Sequence, residues 1–236
     1  MTRSILLSVL TALLLPHVAG AADPDGRALY LQGCVMCHGP NAAGVAARGD
    51  QAGPSLRGVG AQAAHFYLTT GYMPLDRAGE QPVRKDSPYS DGELNAIVDY
   101  IASFGGPPVP EPDPERGNVS EGMRLFAEHC AGCHQIAGAG GLVVGAVAPE
   151  LDEATPTQIA EAVRIGPWVM PRLGEEQLSD RQLDSIIRYV ELTKRADDRG
   201  GWGLGHLGPI PEGVVAWLLA GSVLIGVALV IGGRAR

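Results

Sequence analysis

A mainly α-helical chain, built from two tandem repeats and closed by one membrane-spanning helix, is what this sequence predicts. Three observations carry that prediction. A set of short motifs recurs after about 96 residues. An apolar stripe of helical period closes each copy, and no convincing strand of period two is found. Near the C-terminus, Gly213 to Gly233 run for 21 residues without a charge.

Composition narrows the class. The 236 residues allow one or two domains. With 45% hydrophobic and 19% charged residues the chain is not disordered. Aromatics are scarce against 33 Gly and 18 Pro, the profile of small, loop-rich domains whose cores need outside material to fill them. A net charge of −8, with Lys85 and Lys194 the only lysines, argues against nucleic acid as a partner. Four cysteines are too few for a disulfide scaffold.

The first element is a basic start, Met1-Thr2-Arg3, followed by the apolar run Ile5–Leu15, Pro16 and the small residues Val18–Ala22. This is the pattern of a signal peptide cut after Ala21 or Ala22; an uncleaved anchor is the competing reading, disfavoured by the short run and Pro16. Either way the following chain is exported. The last element, residues 213–233, is long enough at 1.5 Å per residue to cross the hydrocarbon of a bilayer. Arg234 and Arg236 then place a short tail in the cytoplasm, with the rest of the exported chain on the other side.

The two copies match motif by motif. Copy one reads Gly26…Tyr30, Cys34-Val-Met-Cys37-His38, Gly53-Pro54-Ser-Leu56, Met73-Pro74 and Ser90…Tyr100. Copy two reads Gly122…Phe126, Cys130-Ala-Gly-Cys133-His134, Ala148-Pro149-Glu-Leu151, Met170-Pro171 and Ser179…Tyr189. Asp23-Pro24-Asp25 leads into the first helix. Capping boxes Ser90/Glu93 and Ser179/Gln182 open the closing helices. Their stripes, Leu94, Ile97, Val98, Ile101 and Leu183, Ile186, Ile187, Val190, face the cores. Copy one carries about eight extra residues within Leu75–Tyr89. Five prolines between Gly105 and Pro114 read as a stiff linker. The expected organisation is a signal peptide (1–22), first domain (23–104), Pro-rich linker (105–117), second domain (118–195), juxtamembrane segment (196–212), transmembrane helix (213–233) and cytoplasmic tail (234–236).

Cys-x-x-Cys-His is the attachment motif of c-type haem. Cysteines three apart share one helical face and can form thioethers to one porphyrin's two vinyl groups, with the adjacent imidazole against the iron. A redox Cys-x-x-Cys needs a βαβ setting, a zinc site needs its second cysteine pair close by, and local disulfides leave His38 and His134 unexplained. The motif predicts two covalent haems, on Cys34/Cys37 with His38 and on Cys130/Cys133 with His134. Met73, 35 residues after His38, and Met170, 36 residues after His134, are the candidate sixth iron ligands, against a reading as ordinary core methionines. Two thioether-closed irons favour electron transfer over substrate chemistry, so no catalytic residue is assigned. His65 is a weaker alternative ligand with no counterpart in copy two; it, His129 and His206 read as surface or loop histidines. Met36 and Met123 are not placed to reach an iron. Near Pro54 and Pro149 a carbonyl could accept the Nδ1–H of each proximal histidine, unless both are ordinary loop prolines.

Each copy resembles a class I cytochrome c domain, so the fold class becomes two tandem class I cytochrome c domains plus a C-terminal transmembrane helix. The resemblance implies that the first and last helices of each cross at Gly26/Tyr30 with Tyr100, and at Gly122/Phe126 with Tyr189. With the Gly208-Pro-Ile-Pro-Glu212-Gly approach to the anchor, the whole chain resembles the dihaem cytochrome c subunits of actinobacterial bc-type menaquinol:cytochrome c reductases. That implies a cytochrome b subunit, a Rieske iron–sulfur subunit and a terminal cytochrome c oxidase as partners, with electrons entering copy one and leaving copy two. A dihaem subunit of a periplasmic dehydrogenase or a cbb-type oxidase, and a dihaem oxidoreductase with its own substrate, are the alternatives.

Overall fold

The computed structural model describes residues 23–48, 51–194 and 209–234. The expected signal peptide, most of the juxtamembrane segment with His206, and Arg236 lie outside them. The described elements are helices α1 (Gly26–Gly33) and α2 (Val35–His38), strands β1 (Val45–Arg48) and β2 (Gln51–Gly53), and helices α3 (Gly60–Thr69) and α4 (Asp91–Ala102). A 3₁₀ turn at Pro114–Arg116 follows, then helices α5 (Val119–His129) and α6 (Ala131–His134), strands β3 (Gly141–Val143) and β4 (Ala146–Ala148), and helices α7 (Pro156–Ile165), α8 (Asp180–Thr193) and α9 (Pro209–Arg234).

The chain condenses into two compact units that do not follow the repeat boundary. Of the described residues, one takes in those up to Asp113 with Val144–Ala146 and Ala154–Leu183; the other takes in Pro114–Val143, Val147–Glu153 and those from Asp184.

In the first unit α1 starts where Asp25 accepts the amides of Arg27 and Ala28, and α4 starts at the Ser90/Glu93 box. The stripe Leu94, Ile97, Val98 and Ile101 is buried with Tyr30, Ala42 and Leu68. Helices α1 and α4 cross at Gly26, where a Cβ would overlap the Ala96 carbonyl oxygen. Tyr30 stacks at a tilt on Tyr100, ring centroids 5.2 Å apart. The linker begins packed rather than free: the Gln62 amide donates to the Pro107 carbonyl, and Gly60 abuts Pro107.

In the second unit the same crossing recurs. A Cβ at Gly122 would overlap the Ser185 carbonyl oxygen, and the Phe126 and Tyr189 rings lie 5.3 Å apart. Arg116 pairs with the buried Asp184 at 3.3 Å, and Ser185 accepts the Asn118 amide and donates to Glu121.

Two expectations need correction. Among the described residues there are four short strands where the sequence showed no convincing strand of period two, in two pairs, β1–β2 and β3–β4. They have three or four residues each, too few for alternation to stand out. His65 is not a loop histidine; it lies on α3, partly buried. Helix α9 contains the expected span: Gly213–Arg234 is the one helix among the described residues long and apolar enough to cross a membrane. Its Trp217, Leu218, Val223 and Leu229 are all exposed, as an anchor in lipid requires.

The helix crossings give a direct test. Gly26→Ala or Gly122→Ala should each destabilise the chain by about 3 kcal/mol, the upper part of the overpacking range. Gly132→Ala, whose Cβ would meet nothing within 4 Å, should not lower the denaturation midpoint.

Candidate haem-binding sites

Each Cys-x-x-Cys-His run is one tight turn. Cys34 ends α1 and begins α2, so the amides of Cys37 and His38 both reach its carbonyl, at 3.2 and 2.9 Å. Cys133 and His134 reach the Cys130 carbonyl at 3.1 and 2.9 Å. The chain then leaves along the same path in both copies. The His38 carbonyl accepts from Gly44 and the His134 carbonyl from Gly140; Leu56 and Leu151 donate to Ala42 and Gly138. Gly53 and Gly140 are required by close approach, since a Cβ there would strike Cys37 and the Ala148 carbonyl.

That path brings each proline carbonyl to its histidine. His38 Nδ1 lies 2.8 Å from the Pro54 carbonyl oxygen and His134 Nδ1 lies 2.9 Å from that of Pro149. A carbonyl only accepts, so Nδ1 carries the hydrogen. The lone pair is then on Nε2, the tautomer a metal ligand needs. Both imidazoles are buried. Burial lowers the pKa of His134, opposed in part by the Pro149 bond, which favours the neutral, ligating form. Burial, with Cys37 adding to it, pushes the Cys34 thiol up to about 11; burial and Cys133 push Cys130 up to about 11. Before thioether formation both are therefore thiols at neutral pH. Two thiols and a tautomer-fixed imidazole on one turn are a donor set that fits c-type haem.

The methionines sit on loops fixed by neighbouring helices. The Met73 amide donates to the Tyr67 carbonyl of α3 at 3.0 Å. Lys85 pins the far side of the loop, with its amide on the Thr70 carbonyl and its Nζ 2.8 Å from the Pro74 carbonyl. Met73 itself is partly buried against the first core. The Met170 loop leaves α7 through Gly166 in the left-handed region. Arg164 gathers it: one guanidinium nitrogen donates to the Leu173 and Leu178 carbonyls at 3.0 and 2.8 Å, the other to Asp180 at 2.6 Å. Met36 and Met123 are exposed, as is His129.

His65 bonds instead to Glu161 on α7, Nδ1 to Oε1 at 2.7 Å. Burial raises the Glu161 pKa and the His65 bond opposes it. The sequence reading missed Glu161, Gln158 and Arg84; the available signal was two polar residues, Gln158 and Glu161, one turn apart on a helix whose other inward residues are Ile159, Ala160 and Val163.

Comparison with known proteins agrees with the repeat. A family model described as cytochrome c matches residues 24–105, and one described as cytochrome c oxidase, cbb3-type, subunit III, matches residues 117–190. The cytochrome bc1 complex cytochrome c subunit of Mycobacterium tuberculosis is 39% identical over 235 residues, covering 93% of this chain and 82% of that protein. Its namesake in Corynebacterium diphtheriae is 38% identical over 229 residues, covering 89% and 80%. A cbb3-type cytochrome c oxidase subunit of Cereibacter sphaeroides is 28% identical over 190 residues, covering 74% and 62%.

Arg164→Leu should strip hydrogen bonds from two carbonyls of the Met170 loop and cost about 3 kcal/mol. Hydrogen exchange should quicken at the Met170 and Leu173 amides but not at those of Met73 and Lys85.

Proposed function

Because this chain belongs to the family of cytochrome c subunits of cytochrome bc1 complexes, we propose that it receives electrons from the Rieske iron–sulfur subunit of a menaquinol-oxidising complex and passes them to a terminal cytochrome c oxidase. The chain carries two covalently bound haem c groups and transfers electrons within a bc-type complex; the Rieske-to-oxidase route is the proposal. The observation that carries it is the 38–39% identity to bc1 subunits along most of both chains.

When bound, each haem supplies a one-electron iron couple. Cys34 and Cys37 anchor the first and Cys130 and Cys133 the second. His38 and His134 give their Nε2 lone pairs, made more basic by the Pro54 and Pro149 carbonyls. Met73 and Met170 would supply the thioether ligand to each iron. Such thioether ligation would favour Fe(II) and raise the potential, suiting the site to electron transfer. The support for Met73 and Met170 is their matched place in the two copies, each on a loop fixed by the preceding helix.

Helix α9 anchors the chain in the membrane. The haem-bearing repeats lie on the extracytoplasmic side and Arg234 faces the cytoplasm, on the strength of the positive-inside bias. Copy one accepts the electron and copy two delivers it. Membership of a cbb-type oxidase is the second reading, favoured by the family model that matches residues 117–190, but the lower identity and coverage of that relative place it behind.

Two measurements check this. Mild detergent purification through a tag on this chain should bring down a cytochrome b and a Rieske protein; recovery with oxidase catalytic subunits alone would favour the second reading. Intact mass should show two haem additions, and Cys34→Ser should disturb only the first site. Met73→His or Met170→His should lower that haem's potential while keeping it low-spin.

A further inference from the structure

Helices α3 and α7, which lead into the Met73 and Met170 loops, pack against each other within the first compact unit. The seam between them is polar. His65 Nδ1 meets Glu161 Oε1 at 2.7 Å. Beside this pair the Gln158 side-chain nitrogen donates to Thr69 Oγ1 at 3.1 Å, and Arg84 donates to Gln158 Oε1 at 3.0 Å. Glu161 has no exposed surface, and its Oε2 has no hydrogen-bond partner among the described residues.

The sequence numbers of the pair add a second observation. His65 and Glu161 are 96 residues apart, the offset that separates Cys34 from Cys130. Each is therefore the other's equivalent in the repeat. Gln62 and Gln158, also 96 apart, are both buried. A residue meeting its own equivalent is the mark of a two-fold, isologous contact, so this pair lies on the pseudo-two-fold axis relating α3 to α7. In a symmetric ancestor such a position would face itself, His on His or Glu on Glu. Here the two copies have diverged into a complementary donor and acceptor.

A buried carboxyl with one oxygen unpaired is costly, and an apolar residue would pack between these helices at less cost. What a buried polar pair gives is a single register. We infer that the His65–Glu161 bond is the registration element between the two distal-ligand loops, fixing the Met73 loop against the Met170 loop and so setting the rate at which an electron passes between the haems. The inference rests on the proposed assignment of Met73 and Met170 as ligands. His65 and Glu161 are positioning residues and touch neither iron.

The experiment is flash-induced electron transfer between the haems in the full-length, membrane-anchored chain. Spectra and potentials of both haems are recorded on the same samples. His65→Glu places two carboxyls at the axis, and Glu161→His places two imidazoles there. Each should slow interhaem transfer about tenfold, because tunnelling falls exponentially as a lost register lets the haems move apart. Both haem spectra and both potentials should remain as in the wild type. Because the two positions are equivalent, the swap His65→Glu with Glu161→His should return the rate to within about twofold of wild type, a coupling that a double-mutant cycle isolates. Unchanged single-variant rates, or a swap as slow as the singles, would overturn the inference. If the single variants do not accumulate with two haems, the swap decides alone: the wild-type rate supports the registration role and a tenfold loss with intact spectra overturns it. A wild-type spectrum without methionine ligation would instead sink the ligand assignment, an outcome visible before any variant is made.

Discussion

One hydrogen bond, made twice, organises each candidate haem site: the proximal imidazole Nδ1–H donating to a proline carbonyl fifteen or sixteen residues downstream. It fixes the tautomer, turns Nε2 outward and ties the Cys-x-x-Cys-His turn to the chain that follows it. The surrounding features serve that bond. Gly53 lets the downstream segment lie against Cys37, and Gly140 lets the loop after His134 approach the Ala148 carbonyl. The amides of Gly44 and Gly140 close the loop on the histidine carbonyls. Tyr30 donates to the Gly39 carbonyl at 2.6 Å and so connects the first turn to the α1–α4 crossing. In copy two Phe126 has no hydroxyl, and Tyr189 takes over by donating to the Ile136 carbonyl at 2.7 Å. The same loop is braced from the opposite helix.

Duplication explains both what is alike and what has diverged. Crossings, turns and proline carbonyls repeat almost unchanged because each copy must meet the same demands on its own. Features that join the copies are free to differ. His65 and Glu161 are equivalent positions with complementary chemistry, and the Met73 and Met170 loops are restrained by unlike means, Lys85 in one and Arg164 in the other.

Much of this was legible in the sequence. The closing stripes, both capping boxes, the glycine–aromatic crossings and the proline carbonyls were all named from spacing or resemblance, since each depends on residues close in sequence or on a strongly repeated motif. The four strands were not legible because three residues cannot show a period. Nor was the α3–α7 seam. A histidine with a glutamate as its repeat counterpart looks like a lost match, whereas packing the two helices together makes it a pair. Gln158 also escaped notice as a helix cap, because Thr155 and Gln158 form a capping box without a counterpart in copy one.

The central claim is that electrons from quinol pass through copy one and then copy two. Stopped-flow reduction of the assembled complex by menaquinol, with the two haems resolved by variants that shift one potential at a time, tests it most directly. The account predicts that the haem on Cys34 and Cys37 is reduced first and that the haem on Cys130 and Cys133 follows at the interhaem rate. Reduction of the second haem first, or quinol-driven oxidase turnover that survives loss of the haem on Cys130 and Cys133, would contradict it.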